Sequence, residues 1–74
     1  VADLTAIVAE VLSLPASSIS DASGPETVPE WDSLAHMRLV AKLEEAFGVR
    51  FDLDEIIQME NVGKIKGLLA KKQT

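Results

Sequence analysis

A chain of 74 residues, 47% of them hydrophobic and none of them cysteine, allows one small domain held by packing alone. It excludes disulfides, thiolate metal sites and a cysteine nucleophile. Twelve acidic residues against seven basic ones give a net charge of −5, which argues against nucleic acid as a partner, because neutralising phosphates requires a basic face.

The first helix is predicted within residues 1–14, where Leu4, Ile7, Val8, Val11 and Leu12 recur at the spacing of one buried face. Residues 15–31 bring Pro15, Gly24, Pro25, Pro29 and scattered serines, with Ile19, Val28 and Trp31 alone able to pin the segment to a core. A long loop is predicted there, and its place just ahead of the next helix points to a site. Over residues 32–47, Leu39, Val40, Leu43, Ala46 and Phe47 mark a second helix, stopped by Gly48. Residues 49–51 form a short stretch that opens on the β-branched Val49 but has nothing to pair with, so an extended connector is expected. Asp52 and Glu55 have capping-box spacing ahead of Ile56 and Ile57, predicting a short third helix that ends near Met59. Asn61 can cap a last helix carrying Val62, Ile65, Leu68 and Leu69, with Lys64, Lys66, Lys71 and Lys72 biased toward its carboxyl end. The expected fold is all-α, a small bundle of three main helices plus one short helix, in a single domain over residues 1–74. No apolar run is long enough to span a bilayer and no basic-then-apolar segment opens the chain, so a cytoplasmic protein without membrane insertion is expected.

Charge is uneven, with six acids and no base in residues 1–32 but four lysines and no acid in residues 63–74. Acids near helix starts and lysines near the last helix end complement backbone dipoles, which accounts for much of this. Enzymatic chemistry has a thin inventory of one histidine and no cysteine. Ser33 and His36 share a helical face, yet a dyad would need Oγ within reach of the ring and a third group to orient it. A half-buried helix residue suits His36 better. Asp52, Asp54 and Glu55 lack the EF-hand spacing and are explained by capping, and the four glycines form no phosphate-binding loop. No metal site is expected. The start of the second helix stays open to two readings. If Asp32 is the N-cap, Ser33 is the first helical residue with a free hydroxyl, where an attached anion would meet unpaired N–H groups. Alternatively Ser33 is itself the cap.

Asp32-Ser33-Leu34, followed by Met37, Leu39, Val40, Leu43, Glu44, Glu45, Phe47, Gly48 and Val49, resembles the D-S-L motif and second helix of the acyl carrier proteins and related thiolation domains. The similarity runs on through Asn61-Val62-Gly63-Lys64-Ile65 and covers essentially the whole chain. The resemblance implies that Ser33 receives 4′-phosphopantetheine from a phosphopantetheinyl transferase, with Asp32 as cap and recognition residue and Leu34 as the anchor beside it. It further implies that the arm's thiol carries an acyl thioester, which removes the need for a cysteine. The chain would then be a carrier and not an enzyme, loaded by an acyl ligase or acyltransferase and visited by downstream acyl-using enzymes. Met37, Val40, Ile56 and Ile57, with Leu34 beside them, are candidates for an acyl crevice.

Two departures from the fatty-acid-synthesis pattern bear on partners. Ala35 and Arg38 stand where acids are common and Lys42 adds a second base, while Glu44 and Glu45 keep the helix end acidic. Arg38, Lys42, Glu44 and Glu45 are therefore the expected partner code, with the reversed charge acting against the wrong partner. Trp31, where a small residue is usual, resembles discrete carriers of specialised pathways, including D-alanyl or other aminoacyl carriers; in purely structural terms it buries the loop end against the second helix. A discrete, monomeric carrier of a specialised acyl or polysaccharide-modifying pathway is expected, the alternative being a carrier-like helical interaction module that is never modified.

Overall fold

Each helix begins where a short polar side chain takes over a backbone amide that the helix itself leaves unpaired. In the computed structural model, which describes residues 3–72, α1 spans Leu4–Leu12, α2 Ser33–Phe47, α3 Leu53–Ile57 and α4 Val62–Lys72, with a 3-10 turn at Ala16–Ser18 and no strand among the described residues. Asp3 accepts from the Thr5 amide, Asp32 from Ala35 and Asn61 from Lys64, at 2.9 to 3.0 Å. Asp52 and Glu55 close a full capping box, each carboxylate accepting from the other residue's backbone N–H. Caps of this kind contribute about 1 kcal/mol each. At the opposite ends, Ser13 at φ 57° and Gly48 at φ 65° turn the chain into the left-handed region and stop α1 and α2.

The apolar stripes meet as the sequence periodicity requires. Val8 and Leu12 of α1, Leu39 and Leu43 of α2, and Ile65 and Leu69 of α4 form one buried cluster, closed by Trp31, Phe51 and Met59 from the connections. The short α3 buries no residue of its own. It is held by its capping box, by Phe51 and Met59 on either side of it in the core, and by Glu55, whose carboxylate lies 2.9 Å from Lys72 Nζ at the end of α4. The same ammonium stands 5.3 Å from the centroid of the Phe51 ring. Among the described residues, no helix is long and apolar enough to cross a membrane.

Two details depart from the sequence expectation. The third helix ends at Ile57, two residues before Met59, because Gln58 closes it and Met59 turns inward to become 1% exposed. Residues 1 and 2 of the predicted first helix lie outside the described residues. The second concerns residues 15–31, which are tied down by more than Ile19, Val28 and Trp31. Ser23 is buried and its hydroxyl accepts from Ser20 N–H at 2.9 Å. The carbonyls of Ser23 and Asp21 accept from Val62 and Gly63 N–H, both at 2.9 Å, so this loop satisfies the start of α4. Such backbone pairing leaves no mark in apolar spacing.

Gly24 sits where this loop presses on the α3–α4 connection, and a Cβ there would lie 2.1 Å from the Glu60 carbonyl oxygen. Gly24→Ala is expected to destabilise the protein by roughly 3 kcal/mol, since backbone would have to move. Gly67, in open space within α4, gives the opposite sign: Gly67→Ala is expected to stabilise by about 0.5–1 kcal/mol. Urea unfolding of the two variants measures both.

The Lys72 ammonium and the Asp52 N–H, both donating to Glu55, hold its carboxyl below the ordinary glutamate range. A carboxyl whose folded pKa is depressed contributes stability above its unfolded value and loses it as the pH falls through the folded value. Glu55→Gln keeps an acceptor for the Asp52 amide but removes the charge. The variant is expected to be less stable than the wild type near neutrality, with the gap closing as acid protonates Glu55, read from urea midpoints across the acid range.

Candidate functional site

The start of α2 resolves the choice left open by the sequence. Asp32 is the N-cap, its Oδ1 accepting from Ala35 N–H at 2.9 Å, so Ser33 is the first helical residue and is not consumed in capping. Ser33 is exposed, and its hydroxyl makes no hydrogen bond with the described residues. The backbone N–H groups of Ser33 and Leu34 likewise have no acceptor, in contrast to the first amides of α4, which the loop occupies. The positive end of a 15-residue helix therefore opens to solvent beside a free hydroxyl, an environment that favours an attached anion.

Ser33 stands on the edge of a trough of about 630 Å³. Its floor is Trp31 and Met59, each only 1% exposed, and its walls are His36 and Met37 of α2 facing Ile56 and Ile57 of α3. Pro25 and Glu26 from the loop and Glu60 after α3 complete the rim. The trough gathers three of the four crevice candidates, Met37, Ile56 and Ile57. The fourth, Val40, is 4% exposed within the core and does not line it. Its position on α2 faces the bundle, so burial accounts for it. Leu34 is 68% exposed and also stands outside the trough, leaving an apolar side chain on the surface next to Ser33.

One cross-connection at this site lies beyond the sequence expectation. Trp31 Nε1–H donates to His36 Nδ1 at 2.9 Å, and His36 Nε2 lies 2.9 Å from the Ile56 carbonyl oxygen. An indole nitrogen can only donate and a carbonyl can only accept, so the imidazole is neutral with its proton on Nε2. Both ring nitrogens are committed to structure, and neither serves Ser33 as a base. The sequence carried a signal for this, since a buried tryptophan requires an acceptor for its N–H and His36 is one turn into the following helix.

The expected partner residues divide. Arg38 is exposed without a partner among the described residues, Glu45 is exposed, and Lys42 makes a solvent-accessible ion pair with Glu10 of α1 at 3.7 Å, a contact of small energetic weight. Glu44 is different. Its Oε2 accepts from Phe51 N–H at 2.9 Å in a half-buried position, so it ties the end of α2 to the connector before α3. No cluster of three or more potential metal-ligating side chains occurs among the described residues.

The phosphopantetheine attachment site family matches residues 2–69. The chain is also similar to the solution NMR structure of a holo acyl carrier protein from Geobacter metallireducens, with a TM-score of 0.85 and 31% identity over 95% of this chain and 80% of that one. No curated protein sequence matches it significantly.

Proposed function

Because the chain belongs to the phosphopantetheine attachment site family, non-enzymatic carriers with a covalently held 4′-phosphopantetheine, we propose that Ser33 is its attachment residue and that it carries an acyl group between partner enzymes. The observation that supports this best is the free Ser33 hydroxyl beside two unpaired amides at the start of α2. In the loading step, Ser33 Oγ forms a bond to the phosphorus of coenzyme A next to pantetheine. The pyrophosphate bond breaks, adenosine 3′,5′-bisphosphate leaves, and the hydroxyl proton passes to a base of the phosphopantetheinyl transferase. The resulting phosphodiester anion is favoured by the Ser33 and Leu34 N–H groups and the helix dipole. When bound, the arm supplies a thiol that holds cargo as a thioester.

Around that residue, Asp32 sets the helix start, and Leu34 offers an apolar contact to the transferase. Met37, Ile56 and Ile57 give the cargo an apolar surface within reach of Ser33. Arg38, Lys42 and Glu45 form the charged part of the docking face, suited to weak and reversible visits. Arg38→Glu is expected to raise acceptance by fatty-acid-synthesis enzymes and to lower use by the native loading enzyme several-fold. Equal kinetics with both would remove Arg38 from the recognition face.

Intact mass after incubation with coenzyme A and a promiscuous phosphopantetheinyl transferase tests the assignment. The expected result is gain of one phosphopantetheine, mapped by peptide fragmentation to Ser33. A folded protein that gains nothing would instead be an unmodified interaction module.

A further inference from the structure

We propose that the Trp31–His36–Ile56 bridge keeps the cargo out of the bundle interior, so that His36 decides how far the acyl chain and its thioester remain open to water; this rests on Ser33 being the attachment residue. His36 lies one turn from Ser33, on the same side of α2, and its ring spans to the Ile56 carbonyl in the last turn of α3. Leu39 and Leu43 are both 0% exposed, and an acyl chain entering toward them past the His36–Ile56 contact has to part these two groups. Parting them costs more than the one hydrogen bond. The Trp31 indole N–H is buried beneath and has His36 Nδ1 as its acceptor, so moving the imidazole strands a buried donor. The trough outside the bridge asks for no such change, and Met37 and Ile57 already present apolar surface there, 52% and 68% exposed. The cargo accordingly lies along the trough, its thioester within reach of a partner without prior extraction from a core. This suits acyl groups short or polar enough to rest on the surface.

The test uses the chain loaded from acetyl- or octanoyl-coenzyme A by a promiscuous phosphopantetheinyl transferase, with mass confirming the load, and follows thioester cleavage by hydroxylamine. In the wild type, both thioesters are expected to be cleaved at the same rate. In His36→Ala, the octanoyl thioester is expected to be cleaved roughly fivefold or more slowly, the factor that one net hydrogen bond represents, while the acetyl thioester is unchanged. Mere loss of stability would not produce shielding that depends on chain length. Should His36→Ala fail to fold, His36→Phe, which keeps ring volume and neither hydrogen bond, is read in the same way. An octanoyl thioester already shielded in the wild type, or one that gains no shielding in the variant, overturns the proposal. Deuterium exchange of the Trp31 indole N–H in the unloaded wild type stands apart from loading. Strong protection supports the closed bridge, and exchange at the rate of a free indole overturns it. Absence of any mass gain refutes Ser33 as the attachment residue and leaves that exchange rate to decide the bridge.

Discussion

Ser33→Ala is expected to abolish loading completely while leaving the fold as stable as the wild type. The first half follows from chemistry, because alanine offers no oxygen for the phosphodiester and no other serine shares the setting. Ser13, Ser17, Ser18 and Ser20 are exposed but stand at a helix end or within the loop, and Ser23 is buried against Ser20. The second half follows from the absence of any bond to lose. The Ser33 hydroxyl is unpaired and exposed, and alanine is well tolerated within a helix, so the change in stability should stay within about 0.5 kcal/mol. Asp32→Ala provides the contrast. It loses the bond to the Ala35 amide, costing about 1 kcal/mol, yet retains the hydroxyl, so loading should slow without vanishing. Intact mass over time, with urea unfolding of the same samples, separates the two variants. Loss of loading in Ser33→Ala together with loss of structure would undo the argument.

What the sequence made legible was whatever repeats along a helix or sits at its ends. Val8, Leu39, Leu43 and Ile65 fall where the periodicity puts them, and the Asp52–Glu55 capping box and the Gly48 stop are as expected. These features depend on neighbours within one turn, so a linear reading reaches them. The docking of the loop onto α4 through the Asp21 and Ser23 carbonyls joins backbone groups some forty residues apart and carries no side-chain signature. The same holds for Glu44, which looks like one more surface acid until the Phe51 amide is found in its reach. Val40 belongs to the same apolar stripe as Leu39 and Leu43 and lies with them in the core, but which apolar side chains of α2 face the trough depends on where α3 crosses, and α3 is too short to reveal that through its own pattern. Ser33 lay between two local readings of equal form, and what decides between them is the rotation of the Asp32 side chain onto the Ala35 amide.

Trp31→Ala is expected to be the most destabilising of the substitutions considered, at about 4 kcal/mol, the range for truncating a fully buried large aromatic residue. Trp31 is 1% exposed, forms part of the core and floors the trough, so no neighbouring chain can collapse into its place without deforming the wall beside Ser33. For a chain of this length the whole folding free energy is of the order of 4–11 kcal/mol, so the variant stands close to the edge of folding. Trp31→Phe separates the two contributions. It keeps most of the ring packing but leaves His36 Nδ1 without its donor, and an intermediate loss of about 1.5–2 kcal/mol is expected. Circular dichroism in urea measures all three proteins, since the sole tryptophan is the residue removed. A double-mutant cycle with His36→Phe then isolates the bond itself, with a coupling of about 1 kcal/mol expected for partners in direct contact. If Trp31→Phe proves as stable as the wild type and the cycle shows no coupling, the indole serves by its volume alone. The tie between α2 and α3 would then rest on His36 and the Ile56 carbonyl.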